Sequence, residues 1–85
     1  MKNAFLEVKL LWLPVTGKDS FQGKARAISS KNHLGKFDIL PNHTNFISLI
    51  FDTLTLYLPR GKINYKFKRG VLEVSDNKVR IFLGL

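Results

Sequence analysis

No cysteine occurs in this 85-residue chain, so it can build neither a disulfide framework nor a thiolate metal site. Acidic residues are scarce as well: 6 Asp+Glu stand against 14 Lys+Arg, a formal net charge of +8. The acids are scattered, and no pair is spaced for general acid–base work. His33 and His43 are the only histidines, and no acidic cluster accompanies them at ligand spacing, which argues against a zinc centre. No Gly-x-Ser-x-Gly elbow presents a nucleophile. There is no glycine-rich phosphate loop either, because Gly61, Gly70 and Gly84 stand singly. Catalysis and a bound cofactor are therefore not expected. Long apolar runs are also missing. The longest, Phe46 to Phe51, is broken by Ser48 and stopped by Asp52, far short of the ~20 residues of a membrane span. The stretch from Met1 to Leu13 is interrupted by Glu7 and Lys9, and no small-residue cleavage site follows it, so no signal peptide is expected. The cytoplasm is the expected compartment, which leaves the Asn42-His43-Thr44 sequon without a use.

What is present is apolar and aromatic enough to fold. Hydrophobic residues make up 45% and aromatics 12%, including seven phenylalanines, which is incompatible with a disordered basic tail. The length allows one domain, residues 1–85, with no linker, repeat or low-complexity tract. A chain this short buries only about 60–65% of its unfolded surface, so its core must be dense and its loops short.

Period-2 alternation recurs and predicts strands. Leu6, Val8, Leu10 and Trp12 share one face, with Glu7 and Lys9 opposite, and Pro14 to Gly17 supplies a turn. Between Phe21 and Ile28, alternation puts Phe21, Gly23, Ala25 and Ala27 on one side and Lys24 and Arg26 on the other. Such small residues invite a close approach by a backbone or a large side chain. Leu54, Leu56 and Leu58 alternate with Thr53, Thr55 and Tyr57. Pro59-Arg60-Gly61 then turns the chain into Ile63, Tyr65 and Phe67. Leu72 and Val74 lead through Ser75-Asp76-Asn77 to Val79, Ile81 and Leu83, which gives two consecutive hairpins with a basic outer face. Phe46, Ile47, Ile50, Phe51 and Leu54 fit helical spacing about as well as strand spacing. β-branched and aromatic content favours strand for Thr44 to Phe51. The expected fold is all-β: an antiparallel two-sheet β-sandwich.

Half of the basic residues lie between Arg60 and Arg80, offset only by Glu73 and Asp76. A cationic sheet face suits RNA, DNA or an anionic membrane, and it also suits nothing more than solvation. The run Lys68-Arg69-Gly70 begins like an RNA-recognition octamer, but Val71 and Leu72 cannot stack on bases. Tyr65 and Phe67 share the face opposite Lys66 and Lys68, where they are expected to fill the core.

The most distinctive run is Gly35-Lys36-Phe37-Asp38-Ile39-Leu40-Pro41-Asn42-His43. Gly35 permits a tight approach, Phe37, Ile39 and Leu40 bury, and Pro41-Asn42 turns the chain. His43 reads first as a half-buried histidine bonded to a backbone carbonyl. The run resembles the Gly-x-Phe-Gly-Ile-Leu-Pro-x-His segment of the epsilon subunit of F-type ATP synthases (delta in mitochondria). Phe21-Gln22-Gly23-Lys24-Ala25 is similar to the Phe-x-Gly-Glu start of that family's second strand. Gly70 to Val79 is similar to its Gly-Phe-Leu-Glu-Val segment and the Asn-Lys-Val turn that follows.

The resemblance implies the N-terminal β-sandwich of a non-catalytic rotor subunit, which joins the gamma subunit to the membrane ring of c subunits in ATP synthesis. It implies no cofactor and no small-molecule substrate. It also implies a peripheral position on the inner face of the cell membrane, and a monomer when isolated. Carried across, Asn32, His33, Leu34, Gly35, Lys36, Phe37 and Asp38 are the c-ring candidates. Ile39, Leu40, Pro41, Asn42, His43 and Thr44 are the gamma candidates. The family's C-terminal helical hairpin, which can inhibit hydrolysis and in some cases binds ATP, has no counterpart before Leu85. Asp38 replaces the motif's second glycine, so strain is expected if that position needs φ > 0. Arg69 takes one place of the usual Gly-Gly pair. Lys36 stands where an acid is common, with Asp38 the only acid expected nearby, which implies an inverted charge toward the ring. A small basic domain binding RNA or DNA is the alternative.

Overall fold

The computed structural model describes residues 3–14 and 20–85, so the turn expected through Val15, Thr16 and Gly17 lies outside the described residues. Seven strands form: β1 (Leu6–Trp12), β2 (Phe21–Ala25), β3 (Ala27–Asn32), β4 (Gly35–Ile39), β5 (Phe46–Tyr57), β6 (Lys62–Ser75) and β7 (Lys78–Leu83). Phe46 to Phe51 is strand, as its β-branched content favours. The all-β expectation holds, but two details differ. The ladder is one continuous seven-stranded sheet, in the order β2-β1-β7-β6-β5-β3-β4. It is also mixed, because β1 and β7 run parallel, from Glu7 opposite Lys78 to Trp12 opposite Leu83. Local hairpin patterns reveal only antiparallel neighbours. A pair made of the first and last strands needs no dedicated crossover and leaves no turn signal.

The chain path bends this sheet round on itself. Arg26 alone separates β2, at one edge, from β3, one strand in from the other edge. Adjacent Cα atoms lie 3.8 Å apart, so the two ends of the sheet must come together. Here the single strand expected from Phe21 to Ile28 breaks. The Arg26 N–H donates to the Tyr57 carbonyl at 2.6 Å and its Nε to the Leu58 carbonyl at 3.0 Å. Past that bend the inward face passes from Ala25 to Ile28, and Ala27 turns outward. The close approach expected beside Gly23 comes from Phe21, whose ring would lie 3.0 Å from an added Cβ.

One core results, gathered from every strand pair around the curl. Leu6, Leu10, Ile28, Ile50, Leu54, Leu56, Leu72, Ile81 and Leu83 are all fully buried within it. Trp12 packs at its side, with ring centroids 6.3 Å from Tyr65 and 6.5 Å from Phe67, so both aromatics of β6 face inward as expected. A bulge changes the alternation midway along β5 and β6. Phe51 pairs with Arg69 and Asp52 with Phe67, which leaves Lys68 as the extra residue. Inward positions on β6 accordingly shift from Ile63, Tyr65 and Phe67 to Gly70, Leu72 and Val74. At Gly70 strand β7 comes close: an added Cβ would lie 2.6 Å from the Phe82 carbonyl oxygen and 2.8 Å from Leu83 Cδ2.

Candidate functional site

The distinctive run forms β4 and the turns at its two ends. Strands β3 and β4 pair from Ile28 opposite Ile39 to Asn32 opposite Gly35, so His33 and Leu34 are the hairpin tip. Asn32 is buried and shapes that tip. Its Oδ1 accepts the Leu34 N–H at 2.9 Å, and its Nδ2 donates to Ser48 Oγ at 3.4 Å. Gly35 closes the turn with φ +118°, a conformation that side chains rarely adopt. Leu34 is left 85% exposed on a backbone held from below. Of the seven residues expected to face a ring, His33, Leu34, Lys36 and Asp38 are exposed. Asn32 serves the turn instead, and Gly35 and Phe37 are half-buried.

The electrostatics of this hairpin depart from expectation in two places. Asp38 is not among the residues with positive φ, so no strain arises there. Its carboxylate accepts the Ser29 hydroxyl at 2.5 Å from the facing strand. Asp38 is also not the only acid nearby, because the β5 bulge brings Asp52 to Lys31, with Nζ 2.9 Å from Oδ2. Lys36 lies directly opposite Lys31.

The next segment splits the residues expected to face gamma. Ile39 is buried in the core, whereas Leu40 is 57% exposed. Asn42, at φ 69°, is bound into a network of asparagines. Its N–H donates to Asn77 Oδ1 at 2.6 Å, its Nδ2 to the Asn3 carbonyl at 3.0 Å, and its Oδ1 accepts the Asn3 N–H at 3.2 Å. Asn77, itself buried, accepts the Glu7 N–H on its carbonyl at 2.8 Å. These bonds tie the β4–β5 loop to the β6–β7 turn and to β1. His43 is half-buried, with Nδ1 2.7 Å from the Thr44 carbonyl oxygen and its ring edge-on to Phe46, which matches the structural reading of that histidine.

One surface escaped the sequence reading. Leu49 pairs with Val71, Val71 with Phe82, and Phe82 with Leu11, so an apolar row crosses four strands on the outer face. Leu49 is 50% exposed, and Ile47, two residues along β5, is 68% exposed. The signal was available as apolar residues on the polar parity of their strands: Leu11 follows Glu7 and Lys9, and Phe82 follows Arg80. The charged row beside it, Lys9–Arg80–Glu73, contains an Arg80–Glu73 ion pair in which Nε, at 2.9 Å, and Nη2 both donate to Oε1. Apolar area exposed in one stripe and rimmed by charge is the composition of a protein contact. Among the described residues, no three His, Asp or Glu side chains converge as metal ligands. No helix of the described residues is long and apolar enough to cross a membrane.

Comparison with known proteins bears on the family and the fold. The family model described as "ATP synthase, Delta/Epsilon chain, beta-sandwich domain" matches residues 15–83. The chain is 39% identical to the ATP synthase epsilon chain of Clostridium botulinum strain Hall over 61 residues, 69% of this chain and 46% of that one. It is 29% identical to the epsilon chain of strain Eklund 17B over 75 residues, 86% of this chain and 56% of that one. The chain thus spans about half the length of the curated relatives it matches. Among solved structures, the Euglena gracilis mitochondrial ATP synthase (OSCP/F1/c-ring) matches with TM-score 0.81 at 21% identity. That match covers 98% of this chain and 52% of that one. The central stalk and c-ring of the Tetrahymena thermophila mitochondrial enzyme match with TM-score 0.72 at 17% identity, over 98% and 66%. At these identities the structural matches speak for the fold.

Proposed function

The chain belongs to the family of the ATP synthase delta/epsilon chain beta-sandwich domain, and we propose that it acts as a non-catalytic central-stalk subunit of a rotary F-type ATP synthase. In this reading residues 1–85 form one domain, and the two halves of the curled sheet are the layers of the sandwich. The domain couples a gamma subunit to the c-ring while ions drive ATP synthesis. It carries no cofactor, binds no small-molecule substrate, is monomeric when isolated, and sits on the inner face of the membrane through its complex. The family match over residues 15–83 carries this reading.

Exposure and strand register support the following contacts. The β3–β4 tip, Asn32 to Asp38, faces the c-ring, with Leu34 as its foremost apolar side chain. The gamma contact draws on the Ile39 to Thr44 segment through its exposed members Leu40 and Thr44, and extends over the apolar row Leu49–Val71–Phe82–Leu11. The test is co-purification of the chain with its cognate gamma subunit across a salt series. Docking through apolar area should persist at high salt. Failure to co-purify at any salt would overturn the proposal. The basic outer face favours a second reading, an RNA- or DNA-binding domain, in which oligonucleotide affinity falls steeply with salt as counterions are released.

A further inference from the structure

Most open strand edges among the described residues are guarded by charge. β2 and β4 end the sheet, and Lys24 on the one and Lys36 and Asp38 on the other are exposed. β7 pairs with β6 only from Gly70 onward, so the first part of β6 is open on that side, where Lys62, Lys66 and Lys68 are exposed in the cationic half of the sheet. The start of β5 is the exception. β3 pairs with β5 only from Leu54 to Tyr57, past the bulge, so Phe46 to Phe51 has β6 on one side and no strand on the other. This segment contains no charged residue, no proline and no glycine. Charge, proline and bulges are the devices that keep an open edge from templating another strand, and the bulge lies only at its far end.

The ladder shows which backbone groups stand open. Asp76 and Asn77, at φ 51° and 63°, form a two-residue turn that makes Ser75 and Lys78 a hydrogen-bonded pair. Hydrogen-bonded and non-bonded pairs alternate along antiparallel strands, so Glu73 and Val71 also bond toward β7, while Val74, Leu72 and Gly70 bond toward β5. Their partners on β5 are Phe46, Ser48 and Ile50. Ile47 and Leu49 therefore aim N–H and C=O away from β6, off the sheet. Ser48 Oγ donates to the Leu49 carbonyl at 2.9 Å, but neither N–H has a partner among the described residues. The side chains of these same two residues are 68% and 50% exposed on the outer face.

Open donors and exposed apolar side chains thus belong to the same residues, which is what recognition by strand addition requires: main-chain bonds bind, and alternate side chains select. Leu49 is also the end of the apolar row Leu11–Phe82–Val71–Leu49. A strand laid along this edge would carry the row one strand further. The occupant is accordingly the partner assigned to that row, and the inference rests on the stalk-subunit reading. We propose that an extended segment of the gamma subunit adds to the sheet beside Phe46–Phe51, uncharged and with apolar side chains beside Ile47 and Leu49.

The experiment compares Leu49→Ala with Leu49→Pro in binding to the cognate gamma subunit, and follows hydrogen exchange at single residues of the unsubstituted chain. Both variants lose the leucine side chain, but only proline removes the N–H that points off the sheet. Proline is tolerated at such an edge position, and circular dichroism checks each fold. Leu49→Pro should raise the dissociation constant about tenfold beyond Leu49→Ala. Exchange at the Ile47 and Leu49 amides should be fast in the free chain and slower by about tenfold or more in the complex. This second measurement decides alone if the proline variant does not fold. Equal losses in the two variants, or unchanged exchange at these amides in the complex, would overturn the inference and leave the stalk-subunit reading standing. Absence of any complex with gamma would overturn both. Slow exchange at these amides in the free chain, deepening with its concentration, would put a second copy on the edge and also overturn the inference.

Discussion

Leu56→Ala is the perturbation that tests the face assignment most directly. Leu56 is fully buried, and in register it stands between Ile28 of β3 and Ile63 of β6. Truncation removes the side chain from the middle of three adjacent strands. A single continuous ladder joined through short turns can relax little around the space left. Leucine-to-alanine substitutions of this kind cost about 2–5 kcal/mol, more where the site cannot collapse. A domain of this length has roughly 4–13 kcal/mol of stability in all. The loss therefore corresponds to a melting point lower by about 10–25 °C.

Trp12 packs against Tyr65 and Phe67 at the side of the core, so its fluorescence in a urea titration reports unfolding without an added probe. The expected result is a lower midpoint at unchanged slope. Leu49→Ala supplies the control: it lies on the same strand at the opposite parity, 50% exposed, and should cost less than about 0.5 kcal/mol. A loss of a few tenths of a kcal/mol at Leu56, or equal losses at both positions, would show that the inward face has been read the wrong way round.

Three further outcomes are expected. Gly70→Ala should destabilise by about 1–3 kcal/mol in the same titration, because the added carbon meets the Phe82 carbonyl, which is backbone and cannot swing aside. Asn77→Ala should cost about 1–3 kcal/mol by leaving the Asn42 N–H without its acceptor, and hydrogen exchange should rise at Asn42 before the core strands respond. Under the stalk-subunit reading, Lys36→Glu should weaken assembly with the cognate c-ring, whose polar loop is expected to be acidic or neutral. Assembly unchanged by this variant would remove the hairpin tip from that contact.

The strands could be read from the sequence because alternation is local: each face of β1, β5 and β7 is spelled out by neighbours two apart. Three features could not. The parallel β1–β7 pair is a contact between the two ends of the chain, and no turn residue announces it. The break at Arg26 looks like continued alternation until the Tyr57 and Leu58 carbonyls that bend it are in place. The bulge at Lys68 exchanges the two faces of β6 halfway along, so one strand reads as two short ones. The candidate site divides in the same way. Residues in the tight turns, Asn32, Gly35 and Asn42, were legible as important, but what they do is hold the backbone. The surface suited to a partner, Leu49–Val71–Phe82–Leu11, draws on four strands and appears only in register.

That bulge also bears on how the domain could transmit force. β5 and β6 are the two longest strands, 12 and 14 residues, and both run through the cationic half of the sheet and the apolar half. The hairpin tip is fixed to the start of this pair through Asn32 and Ser48, and to its middle through Lys31 and Asp52. The apolar row crosses the same two strands beyond the bulge, at Leu49 and Val71. Load applied at the tip therefore reaches the apolar face through ladder hydrogen bonds and packed core rather than through a loop. Such a path stretches little, because close-packed interiors have low compressibility. Under the stalk-subunit reading, a rotor joint needs that stiffness more than it needs a reactive group. It follows that removing the Lys31–Asp52 tie by Asp52→Asn, which still tolerates the φ of 72° there, should raise hydrogen exchange at the β3–β4 tip while the core strands stay protected.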